Sequence, residues 1–195
     1  MDHLWEKQHR RGIPPLKDRV RRSTLFVPFV LLFILSLINE GSGLCQGWPD
    51  IKIRLLSDES FAVVEVATGK KLRHCPHHDL NGELDMEQVI FCLGTLEKKT
   101  WLYPENKAVS RKHLEKHYGR FAKKVMKSEI LQPVNINSAR LTELVRLPQV
   151  GPVLAVKIAE YRGAHSSYFI IEDIKNVEGI GQAIFKAIRY YICTD

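Results

Sequence analysis

Apolar residues from Leu141 onward recur at helical spacing in four runs. The first is Leu141, Leu144, Val145 and Leu147, and the second Val153, Leu154, Val156, Ile158, Ala159 and Tyr161. Ile171, Ile174 and Val177 make a third, and Ile184, Phe185, Ile188, Tyr191 and Ile192 a fourth. Asn137 or Ser138 reads as the N-cap of the first helix and Pro148 as its stop. Gly163 reads as the end of the second, followed by a loop from Ala164 to Phe169. Upstream the period changes to two. Ile51-Lys52-Ile53-Arg54-Leu55 and Ser60 to Val66 predict two strands joined as a hairpin across Ser57-Asp58-Glu59, with Thr68-Gly69-Lys70 turning into a shorter third strand. Leu114, Tyr118, Phe121 and Val125 predict an amphipathic helix over Ala108–Lys127 that passes through Gly119. Near the start, Thr24 to Ile38 is an uninterrupted apolar run. The fold class is therefore α+β: an N-terminal hydrophobic export or anchor helix, a small α+β middle domain and an all-α C-terminal domain. The boundaries fall at 1–46, 47–106, 107–130 (the basic helix or linker) and 131–195.

Two short turns of one pattern separate the C-terminal helices. They are Leu147-Pro148-Gln149-Val150-Gly151-Pro152 and Val177-Glu178-Gly179-Ile180-Gly181-Gln182, which makes each half a helix-hairpin-helix. A tight turn at a helix N-terminus leaves backbone N–H groups without intrahelical partners, and the helix dipole favours an anion there. Glycine permits positive φ and close approach of another backbone. The second copy keeps both glycines, whereas the first has Gln149 where the earlier glycine should be. The candidate phosphate contacts are therefore Gly179, Ile180 and Gly181, with a weaker set at Val150 and Gly151. Lys157, Lys186 and Arg189 follow on the second helices and add charge along a nucleic-acid backbone. Such a clamp carries no base readout.

Pro133-Val134-Asn135-Ile136-Asn137-Ser138-Ala139, the Leu-Pro-x-hydrophobic-Gly turn, the Ala-x-Lys-Ile helix ending in Glu160-Tyr161-Arg162, and Glu172-Asp173-Ile174 leading to Gly179-Ile180-Gly181 together resemble the ComEA-type competence domain. The resemblance covers about a third of the chain. It implies a tandem hairpin fold and a membrane-attached or periplasmic receptor that binds double-stranded DNA without sequence preference during uptake. Similar Asn-Ile-Asn tandem hairpins also serve in proteins that bind other proteins. The sequence departs from the pattern at Gln149 and at Ile170, where the family often has a polar capping residue.

Charge is unevenly placed along the chain, whose formal net charge is +7. The hairpin region Pro133–Asp195 carries only +1, whereas Lys98–Lys127 carries +8. The basic helix has three readings: phosphate neutralisation beside the hairpins, attachment to anionic lipid, or a solvated face whose apolar stripe docks on the middle domain.

Residues Met1 to Ser23 hold seven basic side chains and three acids. At fifteen residues, the apolar run after them is shorter than the ~20 of a spanning helix and closer to the ~7–15 of a signal-peptide core. The positive-inside rule keeps the basic end in the cytoplasm. The expected location is the inner membrane, single pass with the C-terminal part in the periplasm, or the periplasm after signal cleavage. Gly41-Ser42-Gly43 and Gly43-Leu44-Cys45 offer small residues for processing. Arg21-Arg22 fits a twin-arginine motif poorly, and Leu44 is bulky for a lipoprotein site at Cys45.

One cluster in the middle domain has its own chemistry, His74-Cys75-Pro76-His77-His78-Asp79-Leu80-Asn81-Gly82-Glu83-Leu84-Asp85. Counted from His77, Asp79, Asn81 and Asp85 fall on positions of an EF-hand-like calcium loop. Its first position is a histidine and its twelfth is Gln88, so hard oxygen ligands are missing. His74, Cys75, His77 and His78 form an alternative transition-metal set. The plain reading is an Asx turn with Asn81-Gly82 at its tip and Asp85 near a helix start. Cys75 and Cys92 are either a disulfide in an oxidising compartment or two buried thiols. No catalytic or cofactor motif is present, so the expectation is a protein that is not an enzyme and takes no cofactor. Its expected partners are duplex DNA, the membrane through the N-terminal segment, and proteins of the envelope or uptake machinery. The alternative class is a protein-binding scaffold module of an envelope or secretion assembly.

Overall fold

A computed structural model describes residues 47–125 and 132–195. The expected anchor at Thr24–Ile38, with the processing positions around Cys45, lies outside them. Among the described residues no helix is long and apolar enough to cross a membrane. The described residues form one compact unit of mixed helix and strand.

The first element is a helix, α1 (Asp50–Leu55), and the expected strand over Ile51–Leu55 is corrected. Five residues of alternation are too few to decide a period, and local signals win. Pro49 precedes the helix, Asp50 sits in its first turn and Lys52 and Arg54 in its last, each sign placed to suit the dipole. Ile51 and Leu55 stay exposed. The hairpin is instead β1 (Phe61–Ala67) with β2 (Lys70–Pro76), antiparallel, turning at Thr68-Gly69 where Gly69 has φ 77°. The turn expected at this place therefore joins the two principal strands.

Beyond β2 the chain makes the Asx turn. Asp79 Oδ1 accepts from the N–H groups of Asn81 and Glu83 at 2.8 and 2.9 Å, and Gly82 takes φ 79°. Asp85 then caps α2 (Met86–Thr95) by accepting from Gln88 N. The basic helix α3 (Glu105–Val125) buries Leu114 against Cys75, Val89, Cys92, Leu93 and Leu96, with Tyr118 and Phe121 packed partly into the core. Its start is fixed by Glu65, a buried carboxylate on β1. Glu65 accepts from the N–H groups of Leu102 and Tyr103, each at 2.9 Å, from Asn106 at 3.1 Å, and contacts His74 at 2.7 Å. Burial alone would raise its pKa, but those hydrogen bonds outweigh it and hold the carboxyl at about 2.

The C-terminal part is α4 (Leu141–Leu144), α5 (Pro152–His165), a 3-10 turn at Ile171–Asn176 and α6 (Gln182–Ile188). The expectation of an all-α domain is corrected by a parallel pair, β3 (Val134–Asn135) with β4 (Ile192–Cys193), which ties the first and last segments of the hairpin unit together. Two-residue strands leave no periodicity to read. The caps also differ from expectation. Asn135 takes the N–H groups of Asn137 and Ser138, and Arg140 stands at the N-cap of α4, with its N–H on Glu143. Asn137 instead bridges the two halves: its Oδ1 accepts from Tyr168 N at 2.7 Å and its Nδ2 donates to the carbonyls of Tyr168 and Thr194. Helix α5 continues through Gly163 to His165, and the residue with positive φ after it is Ser166. His165 stacks on Tyr161 and contacts its carbonyl, which holds the last turn.

The middle part and the hairpins share a core. Helix α2 lies against α5, and Ile90 belongs to the same buried cluster as Ile136, Leu144, Ile158 and Ile188. Gly94 makes that approach possible. A Cβ there would sit 2.8 Å from the Pro152 carbonyl oxygen and closer still to Val156 Cγ2. At the other end of α2, the Glu87 carboxylate accepts from the N–H groups of Leu141 and Thr142, each at 3.0 Å, and from the Thr142 hydroxyl. A side chain of the middle part thus caps the first hairpin helix. Lys98–Glu160 adds a surface ion pair at 2.7 Å.

Two outcomes follow. Alanine in place of a helical glycine ordinarily stabilises by roughly 0.5–1 kcal/mol, and Gly119→Ala, with nothing within 4 Å of its Cβ, should do so in urea denaturation. Gly94→Ala should instead destabilise by about 1–3 kcal/mol, because the obstruction includes backbone; equal midpoints for the two variants would refute the seam. Glu65 supplies the second. Its folded pKa lies below the ordinary 4.5, so its contribution is full above that pH and is lost as pH falls toward about 2. Stability of the wild-type chain should fall more steeply across this window than that of Glu65→Gln, as followed by urea melts at stepped pH.

Candidate nucleic-acid interface

The two turns have one backbone geometry. Val150 N donates to Leu147 O and Ile180 N to Val177 O, at 3.1 and 3.0 Å. Gly151 and Gly181 are the N-caps of α5 and α6, at φ −92° and −86° with ψ −177° and −178°. Between these fixed points the chain needs one residue at positive φ, which is Gln149 at 62° in the first turn and Gly179 at 94° in the second. Gln149 therefore occupies the place of the missing glycine without changing the path of the turn. A non-glycine residue pays a conformational penalty there of about 1–2 kcal/mol.

What the hairpins offer a phosphate differs. After Gly181 the first turn of α6 presents the amides of Gln182, Ala183 and Ile184, none of which has an intrahelical acceptor. In hairpin one the equivalent of Gln182 is Pro152, which has no N–H. The side chains of Val150 and Ile180 are buried, so both residues face a ligand only with backbone. Gly179 and Gly181 are exposed, and no Cβ stands between their backbone and solvent. Hairpin two is the more open donor set, and α6 is also short.

The expected cations fall into two groups. Lys186 and Arg189 are exposed on and just after α6, with Arg189 4.8 Å from the centre of the Tyr190 ring. Lys157 instead reaches across to Glu178 of hairpin two at 3.0 Å, which places an acid beside the second turn. Lys175, not singled out by the sequence, is exposed and lies over the Phe185 ring at 5.2 Å. Ile170 lacks a capping side chain, and Asp173 supplies only the reciprocal contact, accepting from the N–H groups of Phe169 and Ile170. Its neighbour Phe169 is 83% exposed.

On α3 the apolar stripe is used for docking, as the third reading of that helix holds, and its opposite face is still strongly basic. Lys107 and Arg111 pair with Glu97, while Lys112, Lys116, Arg120, Lys123 and Lys124 are exposed.

The calcium-loop set dissolves in the folded chain. Asp79 and Asp85 are engaged by backbone amides, Asp85 also by Trp48 Nε1, and Asn81 contributes only turn backbone. Nor do His74 and Cys75 join His77 and His78. His74 pairs with Glu65 and stacks on Trp101 at 4.1 Å, while Cys75 and Cys92 are buried free thiols. Hydrogen bonding to Cys92 is the main influence lowering the Cys75 thiol, and the same contact raises Cys92. The neighbours of His77 and His78 are His113 and His117 on α3. The sequence reading passed over these two, although His-x-x-x-His on a helix puts both rings on one face.

Residues 131–193 match the family model described as the helix-hairpin-helix motif. Over 56 residues the chain is 45% identical to ComE operon protein 1 of Bacillus subtilis (strain 168), a match covering 29% of this chain and 27% of that protein. Endonuclease/exonuclease/phosphatase family domain-containing protein 1 of Danio rerio is 38% identical over 60 residues, 31% of this chain and 11% of that protein. Its Rattus norvegicus counterpart is 34% identical over 59 residues, 30% and 10%. The chain thus spans about a quarter of the bacterial relative and about a tenth of the animal ones. No solved structure matches it significantly. Residues 131–193 are a ComEA-like helix-hairpin-helix domain.

The two turns should respond oppositely to substitution. Gly179→Ala forces a side chain to φ 94° with Leu154 Cδ2 3.0 Å away, and should cost about 1–2 kcal/mol. Gln149→Gly relieves a similar strain but frees the unfolded chain by a comparable ~0.4–1 kcal/mol, so stability should barely change. Denaturant midpoints decide; a large loss at both positions would refute the shared geometry.

Proposed function

We propose that this chain, with its ComEA-like helix-hairpin-helix domain at residues 131–193, binds double-stranded DNA through the phosphate backbone in a competence-related role and is not an enzyme. The observation that carries the reading is the second turn. Gly179 and Gly181 are exposed, the amides following them open the first turn of α6, and Lys186 and Arg189 are exposed in the last turn and at the C-cap of that short helix. Donors arranged in this way meet a phosphate without reading a base. Hairpin one, with Gln149 and Pro152 in its turn, is the weaker contact, and Val150 and Gly151 contribute backbone there. Lys157 acts mainly by neutralising Glu178. The exposed face of α3 adds long-range attraction, because lysine and arginine near a duplex release counterions from it.

The resemblance to a competence domain and the basic stretch before Thr24–Ile38 support export, with the hairpins outside the cytoplasmic membrane. In that arrangement the chain is tethered by its N-terminal segment or released after processing, and presents duplex DNA to uptake machinery. A second reading, a scaffold that binds envelope proteins, is favoured by the exposed Phe169 and Ile170.

The direct test is a salt titration of the full-length chain, in mild detergent, with random-sequence duplex DNA. Binding should be independent of sequence and weaken linearly in log K against log salt. Lys186→Ala with Arg189→Ala should weaken it several-fold and reduce the slope by ~2, and Lys123→Ala with Lys124→Ala should reduce the slope without abolishing binding. Glu178→Gln, which removes an acid beside the turn, should tighten it. Absence of duplex binding at low salt would leave the scaffold reading, with Phe169→Ser then the informative variant.

Export has its own measurement. A phosphatase reporter fused after Asp195 should be active as it is outside the cytoplasm, and the hairpins should resist protease until the outer envelope is opened. An inactive fusion would put the domain in the cytoplasm and overturn the uptake role.

A further inference from the structure

The turn after β2 and the basic helix α3 bring four histidines together. His113 and His117 lie one turn apart on α3, and His77 and His78 come from the chain leaving the hairpin. Ring centres are 4.9 Å apart for His77–His113, 5.0 Å for His113–His117, 5.4 Å for His77–His117 and 5.7 Å for His78–His117. His77, His78 and His117 each offer a ring nitrogen within 4.8 Å of the others. Nε2 of His77 is 2.9 Å from Nε2 of His113. Packing of apolar rings would not require this. Three of the four bring ring nitrogens together from two segments of the chain, and His113 adjoins His77, 36 residues away in sequence.

Their outer hydrogen bonds indicate what the inner nitrogens are for. His77 Nδ1 lies 3.0 Å from the Cys75 carbonyl oxygen, and His78 Nδ1 lies 3.0 Å from that of Gly82. A carbonyl only accepts, so each Nδ1 carries the proton and each Nε2 presents a lone pair inward. A backbone carbonyl on the outer nitrogen is the arrangement that orients histidine toward a metal; the inner Nε2 of His77 accepts from His113 Nε2, and an ion would take the place of that shared proton. We propose that His77, His78, His113 and His117 form a site for one divalent transition-metal ion, of the zinc class, held by imidazole nitrogen.

The chemistry selects among cations. Calcium and magnesium need oxygen ligands, and the nearby carboxylates of Asp79 and Asp85 are already bound to amides. Imidazole suits zinc, copper and nickel. Around a tetrahedral zinc with bonds of ~2.0–2.1 Å, neighbouring nitrogens stand about 3.3 Å apart, so the His77–His113 pair needs to open by only a few tenths of an ångström. His77 is buried, and His113 and His117 sit toward the surface, which leaves an entry side. Lys116 and Arg120 lie near enough to His117 to oppose a cation there. Such an ion would join the Asx turn to α3, and so stiffen the element that carries the exposed lysines.

The test uses the full-length chain, stripped with chelator and titrated with zinc chloride against a colorimetric zinc indicator. One zinc per chain is expected. His113→Gln with His117→Gln, both toward the surface, should lower the affinity by more than the ~10–100-fold that loss of a supporting partner costs, while the exposed His165→Gln leaves it unchanged. Zinc should raise the melting temperature of the wild type and not that of the double variant. Cobalt in place of zinc should give the visible absorption of a tetrahedral site. If the double variant fails to fold by circular dichroism, the exposed His113→Gln alone takes its place. Wild-type protein that takes up no stoichiometric zinc, or variants that bind it as tightly as wild type, would overturn the proposal.

Discussion

Close contact between α2 and α5 is the constraint on which the rest of the molecule rests. Two helices approach this tightly only where a side chain is missing, and Gly94 is that place, with the Pro152 carbonyl and Val156 filling the space. Glu87, two turns earlier on α2, supplies the carboxylate for the open amides of Leu141 and Thr142. One helix therefore positions both helices of hairpin one. The second hairpin follows through shared core residues, Asn137 and the β3–β4 pair. A hairpin pair usually needs only its own two apolar stripes. Here it also has the support of the preceding α+β part, with which it shares a core.

The shared backbone path gives the difference between the turns its meaning. Because both follow the same path, their unequal donor sets reflect residue chemistry and not distortion. Glycine at φ 94° leaves the second turn open, while Gln149 tolerates φ 62° at the cost of strain. Pro152 suits the first helical position and removes a donor in doing so. The Lys157–Glu178 pair then couples the hairpins electrostatically. It is an exposed pair of the kind that adds little stability, so its larger effect is on the field that a phosphate meets.

The segment from Cys75 to Asp85 does several jobs at once. Asp79 Oδ1 accepts two backbone amides, which closes the turn, and Asp85 accepts from Gln88 N, which starts α2. His77 and His78 from the same segment meet His113 and His117 of α3. Glu65 holds the start of α3 in register through Leu102, Tyr103 and Asn106. The position of His113 and His117 therefore depends on a buried carboxylate of another element.

Much of the chain was legible without coordinates wherever a pattern repeats locally. The stripes of α3 and α5, the turn at Gly69, the Asx turn at Asn81-Gly82 and both hairpin turns all follow from spacing and from residues with strong backbone preferences. Legibility failed where a segment was short or where its partner was distant. Ile51–Leu55 alternated like a strand, but six residues between Pro49 and Leu56 were settled by end charges and solvent exposure. Asn137 looked like a cap because nothing nearby announced Tyr168 and Thr194. Gly94 carried no signal at all until α5 lay against it, and the histidines at 77 and 78 acquired companions only when α3 crossed them. Local backbone preference and periodicity are properties of neighbouring residues, so the sequence alone determined the hairpins and their glycines. Close approach, capping across elements and convergence of side chains depend on which surfaces meet, and only the tertiary structure decided those.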